Sequence, residues 1–322
     1  FFGLELDPAY REALAEEIAR RSGREHGDHA YDLAALGLDR AGLGDWTVNP
    51  KKFPQGLKGL IDHVKSKGME FGLWVEPEMV SPDSDLYRAH PDWALSIAGR
   101  TPLTARHQLV LDMGREEVRD HLFGALAALL AELPIAYLKW DHNRALTHAG
   151  EQACYRRQIA GTYALLARLR GAFPHVEIES CAAGGGRIDA GILAHTHRFW
   201  TSDNNDALCR VAMQRGFLKL MPPELMGAHV GAAPAHSSGR SQAMAFRCGV
   251  ALPGHFGVEM DPRTLNDADR AELAGGIARY KALGERLHSG RLWMGDCGDG
   301  VVWQAHGSRE AMILIVTRTA MA

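Results

Sequence analysis

The sequence is poor in cysteine, has no long apolar run and has no excess of charge of either sign. Its 322 residues include five cysteines, an odd number with no CxxC spacing, so we expect neither a disulfide framework nor a cysteine-rich zinc site. Such cysteine usage suits a reducing compartment, and we expect a cytoplasmic location. No stretch approaches about 20 apolar residues, and the N-terminus has no signal-peptide pattern, so we expect no membrane partner.

Charge and motif content argue against further classes of protein. Lys and Arg total 36 against 39 Asp and Glu, which gives a formal net charge of -3 and no electrostatic basis for binding nucleic acid. The 16 histidines form no HExxH motif, and we expect no metal. The glycine run at 184–186 lacks both the GxGxxG spacing and a following Lys-Ser/Thr pair, so we expect no nucleotide and no other cofactor.

Apolar runs alternate with amphipathic segments from about residue 70 onward. With a hydrophobic share of 46%, the chain can form one large α/β domain or two ordinary ones. The alternation is typical of βα units around a parallel sheet and predicts a (β/α)8 TIM-like barrel. The predicted strands are 69–74, 135–140, 176–180, 198–201, 219–221 and 251–256. The predicted helices are 56–67, 115–133, 151–173 and 206–216.

The residues after about 290 follow a different pattern. The Gly-rich "GDCGDG", the segment "VVWQAHG" and the apolar run 311–316 are typical of hairpin strands rather than of another βα unit. We therefore predict a partial barrel domain over residues 1–290 and the beginning of a truncated C-terminal antiparallel β domain over residues 291–322.

Polar clusters follow four of the predicted strands. The segments "WVEPEMV", "DHNR", "CAAGGGR" and "SDNND" stand where these strands end. In a (β/α)8 barrel the catalytic residues lie at the carboxyl ends of the strands. The four clusters are therefore candidates for a single site.

The segment "YLKWDHNR" packs charge where an apolar strand ends. Side chains alternate along a strand, so Lys139, Asp141 and Asn143 are predicted to project from one face. A cation, a carboxylate and an amide would then converge there. The alternative is a strand end that reaches solvent, where Asp and Asn begin a turn.

Asp141 and Asp203 stand on different strand ends, each near a Trp. Glycoside hydrolysis requires two carboxyl groups, one ionised and one protonated, and Trp rings bind the apolar surfaces of sugars. Lys139 favours the ionised form of Asp141, which suits a nucleophile. Asp203 has no cation beside it in the sequence, which is compatible with a protonated acid.

Three neighbouring features have structural explanations. Asp206 precedes an amphipathic run and is as consistent with a helix N-cap as with a chemical role. Glu76 and Glu78 flank Pro77 and could pair with cations on adjacent strands. Cys181 is better explained as a packed small side chain than as a nucleophile, because no His stands in a recognisable relation to it.

Several segments together resemble glycoside hydrolase family 36, mainly microbial α-galactosidases. They run in order from about Leu43 to beyond Arg291 and include "FGLWVEPEMVSPDSDLYRAHPDWAL", "YLKWDHNR", "ESCAAGGGRID", "WTSDNND", "MGAHV" and "GHFGVEMD". The resemblance implies that Asp141 is the nucleophile and Asp203 the acid/base, with retention of configuration through a covalent galactosyl-enzyme. It also implies substrate contacts from Trp74, Arg106, Lys139, Asn143, Cys181, Gly184 and Trp200.

The chain also departs from the family pattern. Family members have a large β-sandwich domain before the barrel and a barrel strand that ends in Asp-Asp-Gly-Trp, whose acids hold galactose hydroxyls. The chain begins at "FFGLELDPAY", and the stretch between Arg20 and Leu43 contains no such motif. We interpret the barrel as truncated at both ends, incomplete at its N-terminal strands and disturbed near residues 22–42. That segment is expected to be irregular, and hydrolysis is expected to be impaired.

Three functional hypotheses remain open. The first is an α-galactosidase that hydrolyses terminal α-galactosides such as melibiose or raffinose-type oligosaccharides. The second is a galactosyltransferase of the raffinose-synthase kind, which passes the same covalent galactosyl group to another sugar. The third is a catalytically impaired fragment that at most binds sugar. A homo-oligomer is compatible with each of them.

Overall fold

The structure, a computed structural model, describes residues 42–146, 154–288, 290–308 and 312–318. The described residues fall into two compact units, which comprise 42–182 with 194–196 and 183–193 with 197–318. The segment 22–42, predicted to be irregular, lies outside the described residues except for Gly42, which is in a turn.

The first unit contains parallel strands alternating with helices. In chain order the elements are α1 (Lys58–Ser66), β1 (Phe71–Val75), β2 (Met79–Val80), α2 (Asp85–Ala89), β3 (Leu109–Val110), α3 (Glu116–Glu132), β4 (Ile135–Trp140), α4 (Cys154–Ala172) and β5 (Glu177–Ser180). Strand β4 pairs in parallel with both β1 and β5. Strands β2 and β3 form a short antiparallel pair between β1 and α3.

Apolar spacing and one close approach explain how the helices of the first unit pack. Helix α3 buries Val118, Leu122 and Leu126, which are spaced four residues apart and lie on one helix face. Helix α4 passes the backbone before α3 so closely that a Cβ at Gly161 would lie 1.8 Å from the carbonyl oxygen of Met113. Glycine is therefore required at this crossing, which lets α4 pack closely against the segment that leads into α3.

The second unit repeats the alternation and then changes to an antiparallel sheet. Its elements are α5 (Ala190–Leu193), β6 (Arg198–Trp200), α6 (Ala207–Phe217), β7 (Met226–Gly231), α7 (Met244–Ala251), β8 (His255–Glu259), α8 (Asp267–His288), β9 (Arg291–Asp296), β10 (Val301–Gly307) and β11 (Met312–Arg318). Strand β7 pairs in parallel with β6 and β8. Strand β10 pairs antiparallel with β9 and β11.

A buried apolar cluster joins β7 and β8 to the helices that follow them. It includes Ala228 and Val230 on β7, Phe256 on β8, Cys248 on α7 and Leu273 on α8. Because these side chains lie on the helix-facing side of the strands, the opposite side is left to the polar residues at the strand ends.

The predicted fold class is confirmed. Among the described residues, six parallel strands alternate with helices and an antiparallel sheet follows, which is the class of an incomplete (β/α)8 barrel with the start of a C-terminal β domain. The predicted strand 135–140 coincides with β4. None of the described helices has the length and apolar character needed to cross a membrane.

Two of the predicted strands are wrong. Residues 219–221 form turns, and the strand begins five residues later at Met226. The prediction 251–256 starts too early, because α7 extends to Ala251 and β8 begins at His255. In both places Gly and His interrupt the apolar run of the true strand, so composition favoured the wrong neighbours.

Candidate active site

Strand β4 places Asp141 beside the end of β1. Trp74 pairs in register with Lys139, so these two side chains are neighbours on one face of the sheet. The backbone N–H of Asp141 donates to the carbonyl oxygen of Val75 at 2.8 Å. This bond extends the β1–β4 ladder by one residue and places Asp141, which is 6% exposed, at the carboxyl end of the strand.

Both carboxylate oxygens of Asp141 accept hydrogen bonds. The indole N–H of Trp74 donates to Oδ2 at 3.0 Å, and the backbone N–H of His142 donates to Oδ1 at 2.8 Å. Two donors, one to each oxygen, fix the plane of the carboxylate. The arrangement suits an anionic nucleophile that is held in one orientation.

Glu76 is a fully buried carboxyl group close to Asp141. Its Oε1 accepts the backbone N–H of Asn143 at 2.6 Å, and its Oε2 accepts the Gln108 amide at 2.9 Å. Burial and the nearby charge of Asp141 raise the pKa of Glu76 to about 7, against the lowering effects of Asn143, Arg106 and Gln108. Glu76 thus accepts hydrogen bonds from two amide groups, and the charge of Arg106 also acts on it.

Glu78 is also buried and contacts both sequence neighbours of Asp141. It accepts the indole N–H of Trp140 at 2.9 Å and the hydroxyl of Thr162 at 2.8 Å. The Nδ1 atom of His142 lies 3.2 Å from its Oε2. Glu78 therefore contacts an indole, a hydroxyl and an imidazole, and its pairing with a cation of an adjacent strand stays a prediction.

Arg106 lies in a loop with unusual backbone angles. Arg106 and His107 have φ values of 53° and 57°, a left-handed conformation that non-glycine residues adopt at a cost. Arg144 holds this loop, because its guanidinium donates to the carbonyl oxygens of Gln108, at 3.2 Å, and of Leu103. Backbone strain that is held in this way is typical of functional sites, and Arg106 itself is exposed.

The other predicted residues of the first unit surround Asp141 at different depths. Lys139 is partly buried on β4. Cys181 is 1% exposed, and its backbone N–H donates to the carbonyl oxygen of Trp140 at 2.8 Å, so it follows β5 next to Asp141. Strand β4 ends at Trp140, so strand alternation does not extend to Asn143, whose backbone is held by Glu76 instead.

The second unit holds Asp203 beside Trp200. The indole N–H of Trp200 donates to Oδ1 of Asp203 at 3.1 Å. The Arg210 guanidinium lies 4.4 Å from the centre of the Trp200 ring, and the His229 ring lies 4.2 Å from it. Trp200 is 1% exposed, whereas Asp203 is exposed. A buried ring therefore holds a carboxyl group that remains accessible to solvent.

Gly184 meets the Asp203 segment directly. Its φ is +80°, and a Cβ at this position would lie 2.7 Å from the backbone nitrogen of Asp203. Only glycine combines this backbone angle with this approach. The glycine run thus packs against the segment that carries Asp203.

Asp206 is the N-cap of α6. The sequence is as consistent with this position as with a chemical role. Its side chain accepts the backbone N–H of Cys209 at 3.0 Å and pairs with Nε of Arg240 at 2.7 Å, and Ser238 donates to it. Burial alone would raise the pKa of Asp206, but the hydrogen bonds from Ser238, Arg240 and Cys209 outweigh it and lower the pKa to about 2.

The structure thus divides the predicted site residues between the two units. The first holds Trp74, Arg106, Lys139, Asp141, Asn143 and Cys181, and the second holds Gly184, Trp200 and Asp203. Sequence reasoning missed the supporting contacts of Arg144, Arg210 and the two glutamates after β1. In the described part of the chain, no group of three or more His, Cys, Asp or Glu side chains could hold a metal ion.

Comparisons with known proteins show which family the chain resembles. Residues 35–290 match the family model described as Melibiase. The chain is 48% identical over 266 residues to an α-galactosidase of Escherichia coli, covering 82% of this chain and 38% of that protein. The chain therefore spans less than half of the length of this curated relative.

Solved structures are similar as well. The galactosidase domain of AgaSK from Mediterraneibacter gnavus matches with a TM-score of 0.86 and 36% identity, covering 98% of this chain and 44% of that one. A raffinose complex of a family 36 α-galactosidase variant from Geobacillus stearothermophilus matches with a TM-score of 0.81 and 38% identity, covering 84% of this chain and 39% of that one.

Proposed function

The chain belongs to the melibiase family, and on this basis we propose that it carries the catalytic centre of a retaining α-galactosidase. The substrates are terminal non-reducing α-galactosides of the melibiose and raffinose type. The structure of a relative with raffinose bound supports this substrate class.

The reaction is a double displacement with Asp141 as the nucleophile and Asp203 as the acid/base. A carboxylate oxygen of Asp141 attacks the anomeric carbon while Asp203 gives its proton to the departing glycosidic oxygen. The products of this step are the free alcohol and a galactosyl ester of Asp141. Asp203, now ionised, takes a proton from water, which attacks the anomeric carbon, releases galactose with retained configuration and restores the Asp141 carboxylate.

One observation carries the proposal, namely the environment of Asp141. Its two oxygens are held by Trp74 and by the backbone of His142 at the end of a strand, and the side chain is only 6% exposed. Asp203 is exposed and held by Trp200, which suits a group that exchanges protons with the leaving group and with water.

The remaining residues are proposed as substrate contacts, each with support from its position. Trp74 and Trp200 offer indole rings next to the two carboxyl groups. Lys139 is the neighbour of Trp74 on the same sheet face, and Arg106 is presented by its strained loop. We also assign contacts to Asn143, Cys181 and Gly184.

Trapping of the covalent intermediate tests this function. The chain is incubated with 5-fluoro-α-galactosyl fluoride, which slows turnover of the galactosyl-enzyme, and the labelled peptide is identified by mass spectrometry. We expect the label on Asp141 and no label in Asp141→Asn, whereas Asp62→Asn on the exposed side of α1 should label normally. A label on another residue would overturn the proposal. So would an NMR assay in which the released galactose has the inverted anomeric configuration.

The two alternatives to hydrolysis are galactosyl transfer to another sugar and loss of catalytic activity. The galactosyl ester of Asp141 can react with a sugar hydroxyl instead of water, so product analysis with an added acceptor sugar separates a transferase from a hydrolase. A chain that binds galactose but forms no ester would be the impaired fragment.

Domain organisation and location also belong to the proposal. We propose residues 1–290 as the catalytic barrel and residues 291–322 as the beginning of a C-terminal β domain, and the family match supports the division because it ends at 290. All five cysteines are free thiols, which supports a cytoplasmic location. Homo-oligomer formation stays a prediction that analytical ultracentrifugation tests.

A further inference from the structure

We propose that Glu76 and Glu78 are positioning residues that together hold the nucleophile segment 140–143. The inference rests on the proposed role of Asp141 as the nucleophile. Neither glutamate contacts the substrate in this proposal. Each acts through other residues of the segment 140–143.

Glu78 holds the residues on both sides of Asp141. Its carboxylate accepts the indole N–H of Trp140 and lies 3.2 Å from Nδ1 of His142. The same carboxylate accepts the hydroxyl of Thr162 on α4, a helix whose crossing is fixed by Gly161. The residue between two anchored neighbours has little freedom left, so Glu78 sets where the Asp141 carboxylate points.

Glu76 holds the next residue and joins it to the loop of Arg106. Its two oxygens accept the backbone N–H of Asn143 and the side-chain amide of Gln108. Gln108 follows Arg106 by two residues, and its carbonyl oxygen accepts from Arg144. One carboxyl group therefore connects the nucleophile segment with the loop that presents Arg106.

Trp74, Glu76 and Glu78, at the end of β1, each contact different residues of the segment 140–143. Trp74 bonds to Asp141, Glu76 to Asn143, and Glu78 to both Trp140 and His142. Every residue from 140 to 143 thus has a hydrogen-bond partner in the five residues 74–78. Two buried carboxyl groups are costly unless they serve to fix donors, and the donors fixed here surround Asp141.

Three variants separate positioning from general stability. Glu78→Leu removes every acceptor of this side chain, whereas Glu78→Gln keeps its shape and one acceptor for Trp140. Glu70→Gln is the matched control, because Glu70 is exposed and precedes the other end of β1. If Glu78→Leu fails to fold, Glu78→Gln decides the outcome.

The first readout does not depend on activity. The chain, which has seven Trp residues, is labelled with 5-fluorotryptophan, and the Trp74 and Trp140 signals are assigned from Trp→Phe variants. Asp141→Asn should shift the Trp74 signal, because the two side chains are hydrogen-bonded. We expect both Glu78 variants to shift Trp74 as well as Trp140, and Glu70→Gln to shift neither. A shift of Trp140 alone would show that Glu78 acts only locally and would overturn the proposal.

The second readout is turnover of an aryl α-galactoside. A displaced nucleophile lowers kcat, because misplacement by about 1 Å costs roughly a hundredfold, while KM should change by less than about threefold. Glu78→Gln should lose about tenfold in kcat. Unchanged kcat in both folded variants of an active protein would overturn the positioning role. Absence of turnover in the unmodified chain would instead count against the proposed function, and the fluorine spectra would still decide the positioning role.

Discussion

The indole nitrogen of Trp74 lies 3.0 Å from Oδ2 of Asp141, although the two residues are 67 positions apart in the chain. The parallel pairing of β1 with β4 brings them together, because Trp74 and Val75 are level with Lys139 and Trp140. A Trp at this position therefore does more than offer a ring to the sugar. It also holds the nucleophile in place.

Trp74→Phe should separate these two roles. Phenylalanine keeps an aromatic surface but has no N–H, so Asp141 loses a charge-assisted hydrogen bond of about 1.5 to 3 kcal/mol. We expect kcat on an aryl α-galactoside to fall about ten- to a hundredfold with a smaller change in KM. Trp93→Phe is the control. Trp93 stacks on His90 and is not one of the predicted site residues, so this variant should retain full turnover. Equal kcat for Trp74→Phe and the unmodified chain would contradict the prediction.

Asp203→Ala should make activity depend on the leaving group. The first step needs little protonation when the departing phenol is a weak base, so dinitrophenyl galactosides should still form the ester of Asp141, whereas melibiose should not. Azide should then attack the accumulated ester and give α-galactosyl azide, which NMR identifies. A uniform loss of rate for all substrates, with no azide product, would argue against Asp203 as the acid/base.

Glu76→Gln should change how stability depends on pH. The pKa of Glu76 is raised from its ordinary value of 4.5 to about 7 in the folded protein, first by burial and then by Asp141. The folded state therefore binds this proton more tightly than the unfolded state, and its stability falls as pH rises from about 4.5 to about 7. Below that window the group is protonated in both states.

Glutamine cannot ionise, so the variant should escape this loss. We expect Glu76→Gln to match the unmodified chain at pH 4.5 and to exceed it above pH 7 by at most about 3 kcal/mol in the free energy of unfolding. Urea unfolding at several pH values measures the difference. If the difference in the free energy of unfolding between variant and unmodified chain stayed constant from about pH 4.5 to about pH 7, ionisation of Glu76 would not be its cause.

Much of the fold and the centre of the site could be predicted from the sequence, because local patterns determine them. Strand β4 is apolar except for Lys139, and Asp141 follows it directly, at the carboxyl end of the strand where a barrel carries its catalytic residues. The strand Met226–Gly231 was missed because Gly and His interrupt it, and its identity depends on pairing with β6 and β8. Such pairing cannot be seen in a local pattern.

The supporting contacts were harder to predict for a related reason. The sequence indicates that Glu76 and Glu78 are unusual at a strand end, but their partners lie between 32 and 84 residues away. A buried carboxyl group was expected to find a cation. In the folded protein, indole, amide and hydroxyl groups donate to the oxygens of these two glutamates.

Replacement of residues 22–42 should raise the activity of the chain. The resemblance to glycoside hydrolase family 36 implies an Asp-Asp-Gly-Trp motif in this stretch, whose acids hold galactose hydroxyls, and the sequence between Arg20 and Leu43 has no such motif. Each charged hydrogen bond missing from a buried site weakens transition-state binding by about 1.5 to 3 kcal/mol, which is roughly ten- to a hundredfold in rate. We therefore expect low turnover from the chain as printed.

A chimera tests this expectation. The corresponding segment of the Escherichia coli relative, which is 48% identical to this chain over 266 residues, is inserted in place of residues 22–42. We expect kcat/KM on an aryl α-galactoside to rise at least about a hundredfold. Each restored hydrogen bond contributes at least about tenfold, and the two factors multiply. The same chimera with both inserted acids changed to Ala is the control and should fall back to the original rate. High activity in the unmodified chain would mean that other residues supply these two carboxyl groups.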